Sequence, residues 1–287
     1  MPEKRPVAIV TGASRGAGRG IATALGSHGC TVYVTGRSEA QGDATLPGTI
    51  HATAAAVTAA GGHGIAVRVD HADDMQVAAL FDRVRAEQGR LDILVNNACA
   101  IHDQLTAPGH FWEKPLAIGD MIDVGLRSGF VASWHAAPMM VTQRRGLIVF
   151  TSAPGSVHYV FGPAYGAHKA GADKMAHDMS VDLRHAGVAA LSIWMGSLAT
   201  ERLLAMIDAD PAKFGHLADT LETPEFTGHI IWALHADPDV MALSGQTVIG
   251  AEMGARYGIV DRNGKCPASV RDTQGIAPRT PYPQIIR

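Results

Sequence analysis

Thr11-Gly12-Ala13-Ser14-Arg15-Gly16-Ala17-Gly18 follows directly on the β-branched run Val7–Val10. Glycines at 12, 16 and 18 let a chain turn tightly, and the Ala-rich residues behind them read as a helix. A strand that turns sharply into a helix offers free N–H groups and a positive dipole end to an anion. Gly12, Ser14, Arg15, Gly16, Ala17 and Gly18 are therefore candidate neighbours of a dinucleotide pyrophosphate.

The same alternation continues outward from this turn. Strands are expected at Val7–Val10, 31–35, 65–69, 93–95, 147–150, 189–194 and 246–249. Helices are expected at 18–28, 50–60, 75–88, 118–143, 164–185 and 224–235. This pattern predicts an α/β fold: a single doubly wound Rossmann-type domain, with a seven-stranded parallel sheet and helices on both faces. The domain is expected to span 1–253, with long substrate loops at about 100–117, 153–163 and 195–221. The Pro- and Arg-containing stretch 254–287 reads as an irregular C-terminal tail, with docking on a neighbouring subunit as one option.

Composition excludes several classes. The 287 residues carry 24 basic and 27 acidic side chains without blocks, which argues against a nucleic-acid surface or a polybasic membrane patch. Cys30, Cys99 and Cys266 form no CxxC pair, so neither a disulfide framework nor a zinc site is expected, and a reducing compartment fits. The 14 histidines show no ligand spacing, so no metal is expected. The lead-in from Met1 to Pro6 is too polar for a signal peptide, and a cytoplasmic protein is expected.

The end of the second strand bears on which dinucleotide would bind. NAD sites commonly place an acid there to hold the ribose 2′-hydroxyl. Here the run is Val34-Thr35-Gly36-Arg37-Ser38, with glycine in the acid's place and Arg37 next. Arg37 and Arg15 together would suit a 2′-phosphate through charge-assisted bonds, so NADP(H) is the expected cofactor.

Tyr165 and Lys169, at i and i+4 in a helical segment, share one face, and Ser152 ends a strand thirteen positions before the tyrosine. A free tyrosine titrates near pH ~10, so it needs help to move protons at neutrality. A nearby ammonium and an oxidised nicotinamide are both expected to lower its pKa. Tyr165 could then protonate an alkoxide or deprotonate an alcohol, while Ser152 hydrogen-bonds the substrate oxygen.

The TGxxxGxG loop and the Ser152…Tyr165-x-x-x-Lys169 set closely resemble the short-chain dehydrogenase/reductase family over about residues 6–250. The resemblance implies hydride transfer between a nicotinamide and a carbonyl or alcohol, with Ser152, Tyr165 and Lys169 catalytic. It further implies that Tyr165 and Lys169 touch the cofactor, with Lys169 on the nicotinamide ribose. Asp70 is implied near the adenine, Asn97 at the cofactor, Asn96 as a brace of the sheet, and Thr200 near the nicotinamide amide and phosphates. Homodimers or homotetramers are implied too, through the helix of Tyr165 and the one before it.

Three positions depart from the family pattern. Gly125 stands where the family has an asparagine that helps hold a proton-relay water, Cys99 replaces the glycine of NNAG, and Met195 replaces a proline. Leu46-Pro47-Gly48-Thr49, Gly89–Leu94, Phe111-Trp112-Glu113 and Val124-Gly125-Leu126-Arg127 resemble the subgroup called dehydrogenase/reductase family member 1. That subgroup implies an NADPH-dependent carbonyl reductase with broad substrates, including steroids.

Apolar residues crowd the expected substrate loops: Phe111 and Trp112, Val157 to Phe161, and Leu203 to Met206. They suit a bulky hydrophobic ketone or aldehyde, or else pack the loops or a subunit interface; both readings stay open. A β-ketoacyl thioester reductase and a non-catalytic NADP-binding sensor or scaffold are the alternatives.

Overall fold

The structure, a computed structural model, describes residues 5–286. Residues 1–4 of the polar lead-in, and residue 287 at the end of the expected tail, lie outside the described residues. Seven strands form one parallel sheet: β1 Val7–Val10, β2 Thr31–Gly36, β3 His63–Arg68, β4 Ile93–Asn96, β5 Gly146–Ser152, β6 Val188–Trp194 and β7 Thr247–Ile249. Their order across the sheet is β3-β2-β1-β4-β5-β6-β7. The chain therefore winds outward from β1 to β3 and then restarts on the other side of β1 with β4. That reversal opens a crevice at the carboxyl ends of β1 and β4, where the glycine turn lies.

Strand residues alternate between two cores. Ala8, Val10, Val32, Val34, Val95 and Leu191 face one layer, which Ile21, Leu25, Val57, Phe226 and Ile230 complete. Val7, Ile9, Tyr33, Leu94, Ile148 and Phe150 face the other, against Leu80, Phe81, Ala136 and Ala176. Burial on both faces is why these strands read as unbroken apolar runs in the sequence. Each fully buried aliphatic side chain contributes roughly 1.5–3 kcal/mol by leaving water.

The first layer is built by α1 Gly16–Ser27, α2 Ile50–Ala59 and, later in the chain, α8 Pro224–Ala236. The second is built by α3 Asp74–Gln88, α4 Ser128–Gln143 and α5 Pro163–Leu183. Helices α1 and α8 pack closely because side chains are missing where they cross. A Cβ on Gly228 would lie 2.6 Å from Ala24 Cβ, and one on Gly20 would overlap Pro224. This contact ties the helix behind the glycine turn to the domain.

Several boundaries differ from expectation. The single helix expected over 118–143 is broken into a 3-10 turn at Leu116–Gly119, a π segment at Ile122–Arg127 and α4. Gly125 lies buried in the π segment, where a widened turn brings the backbone against α5. The third strand starts at His63 rather than 65, paired with Thr31, since Gly64 presses directly on the Ala54 backbone. Apolar alternation does not register a glycine that serves a close approach.

The loop expected over 195–221 contains α6 Glu201–Ala209 and α7 Pro211–Phe214. The tail is not wholly irregular. The boundary at 253/254 falls inside α9 Gly250–Tyr257, and α10 Val270–Gln274 follows. Val270 and Ile276 pack on Trp194, Ile249 and Ala251, while Arg271 Nε bonds Glu252 Oε1 at 2.8 Å. Such long-range apolar contacts leave no short-range periodicity to detect. Among the described residues, no helix is long and apolar enough to cross a membrane.

Candidate active site

The glycine turn is held from below by the end of β4. Thr11 Oγ1 donates to Val95 O and accepts the Asn97 and Ala98 N–H groups at 2.8 and 2.9 Å. Asn97 Nδ2 donates to Thr11 O at 2.9 Å and Gly12 O at 3.2 Å. Gly12 has φ +64°, and a Cβ there would sit 2.7 Å from Ala98 Cα, so both conformation and space demand glycine. Asn96 reaches the other way and bonds Ser133 Oγ on α4 at 2.9 Å.

Gly16 opens α1 with φ +55°, behind an extended Arg15 that supplies no side-chain cap. An anion nonetheless occupies this helix end: Glu201 Oε2 accepts the Gly16 N–H at 2.9 Å. Thr200 caps α6 by accepting the Leu203 N–H at 3.3 Å, and its methyl group would lie 3.5 Å from a Cβ on Gly16. The glycine turn and the loop after β6 therefore face each other. Ser14 and Gly18 are buried in this turn, and Ala17 packs against the core.

Beyond β2, Arg15 is anchored by Pro47 O, Ser38 Oγ and Gly48 O at 3.1, 2.9 and 2.8 Å. Arg37 is exposed and sits 3.9 Å from Asp70 Oδ2. A Cβ on Gly36 would press on Ile50 Cγ2 at 3.3 Å, so this site is narrow for an acidic side chain. Arg15, Arg37 and Asp70 thus gather beyond the end of β2, with Arg15 braced rather than free.

Ser152, Tyr165 and Lys169 meet at the carboxyl end of β5. Ser152 Oγ donates to Lys169 O at 3.3 Å, and Lys169 Nζ donates to Thr151 O at 3.1 Å. That ammonium lies 5.7 Å from the Tyr165 ring centroid. Burial lowers the Lys169 pKa, opposed in part by Cys99 and Asp173. Tyr165 packs with Cys99 on Leu105, Ile118 and Met121.

The expected lowering of the Tyr165 pKa is not what the chain itself produces. Burial, with a smaller push from Cys99, raises the phenol to about 12. Removing a phenolate from water outweighs any attraction from an ammonium 5.7 Å from the ring centroid.

Gly125 is filled from across the helix interface. A Cβ there would meet the His168 ring, 2.7 Å from Cε1 and 2.8 Å from Nε2. His168 is buried, its pKa lowered to about 3 by burial and by Lys169, and its Nδ1 lies 3.6 Å from Cys99 Sγ. Cys99 is itself pushed up by burial, in keeping with a packed thiol.

Sequence reasoning missed Glu201, Glu222 and the buttressing hydroxyl of Thr11. Glu222 is buried, accepts the Gly196 N–H at 3.2 Å and has its pKa raised to about 7 by burial. Glu201 could have been noticed as an acid in the first turn of a helix, but that pattern points to its own helix end. The expected substrate-loop aromatics Phe111, Trp112, Tyr159 and Phe161 remain exposed, with Phe161 meeting the Tyr165 ring edge-on at 5.2 Å between centroids. Among the described residues no cluster of three or more His, Cys, Asp or Glu could hold a metal.

With this geometry, the family model described as short chain dehydrogenase matches residues 6–209, and the chain belongs to that family. It is 39% identical over 275 residues to a mouse protein named "Dehydrogenase/reductase SDR family member 1", covering 92% of this chain and 85% of that one. It is 30% identical to "3-oxoacyl-[acyl-carrier-protein] reductase" of Synechocystis, covering 84% of this chain and 93% of that one. A solved short chain dehydrogenase from Mycobacterium thermoresistibile superposes with a TM-score of 0.75 at 25% identity, over 92% of each chain. The fold is thus a single Rossmann-like domain of an oxidoreductase family that uses nicotinamide cofactors and small-molecule substrates.

Proposed function

We propose that this chain is an NADP(H)-dependent oxidoreductase that interconverts a bulky hydrophobic ketone or aldehyde, or a steroid-like ketone, with its alcohol. The observation that carries this reading is the convergence of Ser152, Tyr165 and Lys169 at the carboxyl end of β5. The turn fits a dinucleotide: an anionic carboxylate already accepts the Gly16 N–H, and Arg15 and Arg37 flank the end of β2. When bound, the cofactor supplies or accepts the hydride.

The chain's own residues handle the oxygen and its proton. Ser152 donates a hydrogen bond to the substrate oxygen, exchanging it for the Lys169 carbonyl, as negative charge develops there. Tyr165, a neutral phenol with a pKa of about 12, gives its proton to that oxygen in reduction. Lys169, anchored on Thr151 O, stabilises the phenolate left behind and reaches the nicotinamide ribose. Asp70 would lie near the adenine, Asn97, which holds the turn, would approach the cofactor, and Thr200 would meet the nicotinamide amide and phosphates. Gly12, Ser14, Arg15, Gly16, Ala17 and Gly18 would hold the pyrophosphate.

The exposed aromatics at Phe111, Trp112, Tyr159 and Phe161 support an apolar substrate. Phe130 and Trp134, exposed one turn apart on α4, support a homodimer or homotetramer built on α4 and α5. A cytoplasmic site of action accords with the unpaired cysteines. The Synechocystis relative motivates a second reading, a β-ketoacyl thioester reductase.

The test is oxidation of NADPH against NADH with a panel of hydrophobic ketones, aldehydes and one β-ketoacyl thioester, beside Tyr165→Phe. NADPH-dependent turnover of the ketones that disappears in the variant is expected. Preference for the thioester would select the second reading. Tight NADPH binding without turnover of any compound would instead make this a sensor.

A further inference from the structure

Glu201 has no part in the chemistry above, yet its carboxylate is seated on the glycine turn. Oε2 takes the Gly16 N–H at 2.9 Å, and Oε1 lies 3.7 Å from Arg19 Nη1. That N–H belongs to the first turn of α1, where amides have no partner within the helix. The adjacent Arg202 points across the crevice, bonding Asp103 Oδ1 at 2.8 Å and Ile101 O at 3.5 Å. The start of α6 therefore bridges the glycine turn and the segment after β4. No residue of α6 is buried, so little apolar packing holds it against displacement.

Resting on the dinucleotide reading of this site, we propose that Glu201 is an internal anion that competes with the cofactor's pyrophosphate for the Gly16 N–H. A phosphate oxygen and a carboxylate oxygen cannot both occupy one amide, and at that separation they repel. Binding therefore exchanges one anion for another at the α1 terminus. The positive field of Arg15 and Arg19 is neutralised in both states, so the cofactor gains less there than at an unoccupied helix end. Glu201 sets the affinity below what the loop alone would give and speeds cofactor release.

Full-length wild type, Glu201→Gln and Glu201→Ala would be titrated with NADPH, NADH and adenosine 2′-monophosphate, following fluorescence and calorimetry. Thermal melts would report folding of each variant. Both substitutions are expected to tighten NADPH and NADH by about three- to tenfold, as fits loss of one partly buried charge-assisted competitor. Adenosine 2′-monophosphate, which has no pyrophosphate, is expected to change by less than about twofold. Weaker or unchanged dinucleotide binding would overturn the proposal, as would equal tightening of the monophosphate, which reports a general field effect. Preference for NADH would overturn the NADP(H) reading and leave the Glu201 comparison intact. Failure of every variant to bind either dinucleotide would overturn both.

Discussion

The imidazole of His168 occupies the space that a side chain at Gly125 would need, with Cε1 2.7 Å from an added Cβ. The contact is reciprocal along the interface, since a Cβ on Gly171 of α5 would meet Leu126 Cδ2 of the π segment. A ring and an isobutyl group each fill a glycine on the facing element. This interlock sets the rotation of the helix that carries Tyr165 and Lys169.

Gly125→Asn alone is therefore expected to destabilise the fold by roughly 1–3 kcal/mol through overpacking. Paired with His168→Gly, the same substitution should recover most of that loss. Chemical denaturation of the two single variants and the double variant reads the coupling. Additive effects would show that the two positions do not share this space.

The raised Tyr165 pKa gives a direction to the pH dependence. A phenol near 12 stays protonated and able to donate, so reduction should be nearly flat from pH ~6 to ~9. Alcohol oxidation needs the phenolate and should rise with pH across the same window. Steady-state rates in both directions, with saturating cofactor, check this. Ser152→Ala should lower kcat by about a hundredfold while leaving NADPH affinity unchanged.

Glu222 makes stability fall as the solution becomes more alkaline. Its folded-state pKa of about 7 lies above the unfolded value, so the native chain holds the proton more tightly. Its favourable contribution is present below the unfolded pKa and is lost as pH rises from about 4.5 to about 7. The loss is on the order of 3 kcal/mol. Glu222→Gln keeps an acceptor for Gly196 N–H and should remove this slope. Urea denaturation at pH ~5 and pH ~8 compares the two proteins.

Arg37→Ala should weaken NADPH about tenfold and leave NADH almost unaffected, because only the former carries the 2′-phosphate. Fluorescence titration with both cofactors measures the ratio. An equal loss for both would place Arg37 away from the ribose.

The class of fold was legible because its determinants are local. Val7–Val10 followed by glycines at 12, 16 and 18 identifies the first strand, turn and helix without knowledge of the rest. The i, i+4 spacing of Tyr165 and Lys169 puts them on one helix face wherever that helix packs. Boundaries were harder where tertiary contact overrides periodicity, as at Gly64 on Ala54 and in the π segment at Gly125. The helical part of the tail escaped for the same reason, since Val270 and Ile276 find their partners on β6, β7 and α9.

The sequence by itself determined the parallel α/β architecture, the glycine-rich turn and the residue types of the proposed catalytic set. The first two follow from strand and helix periodicity and from the conformations open to glycine, and the third from the resemblance to the short-chain family. Only the tertiary structure decided that Glu201 caps a helix 185 residues earlier in the chain. It likewise decided that His168 fills the place beside Gly125, and that burial raises the pKa of a tyrosine that a nearby ammonium and an oxidised nicotinamide were expected to lower. Each depends on which distant groups share a small, poorly hydrated volume, and no local spacing encodes that.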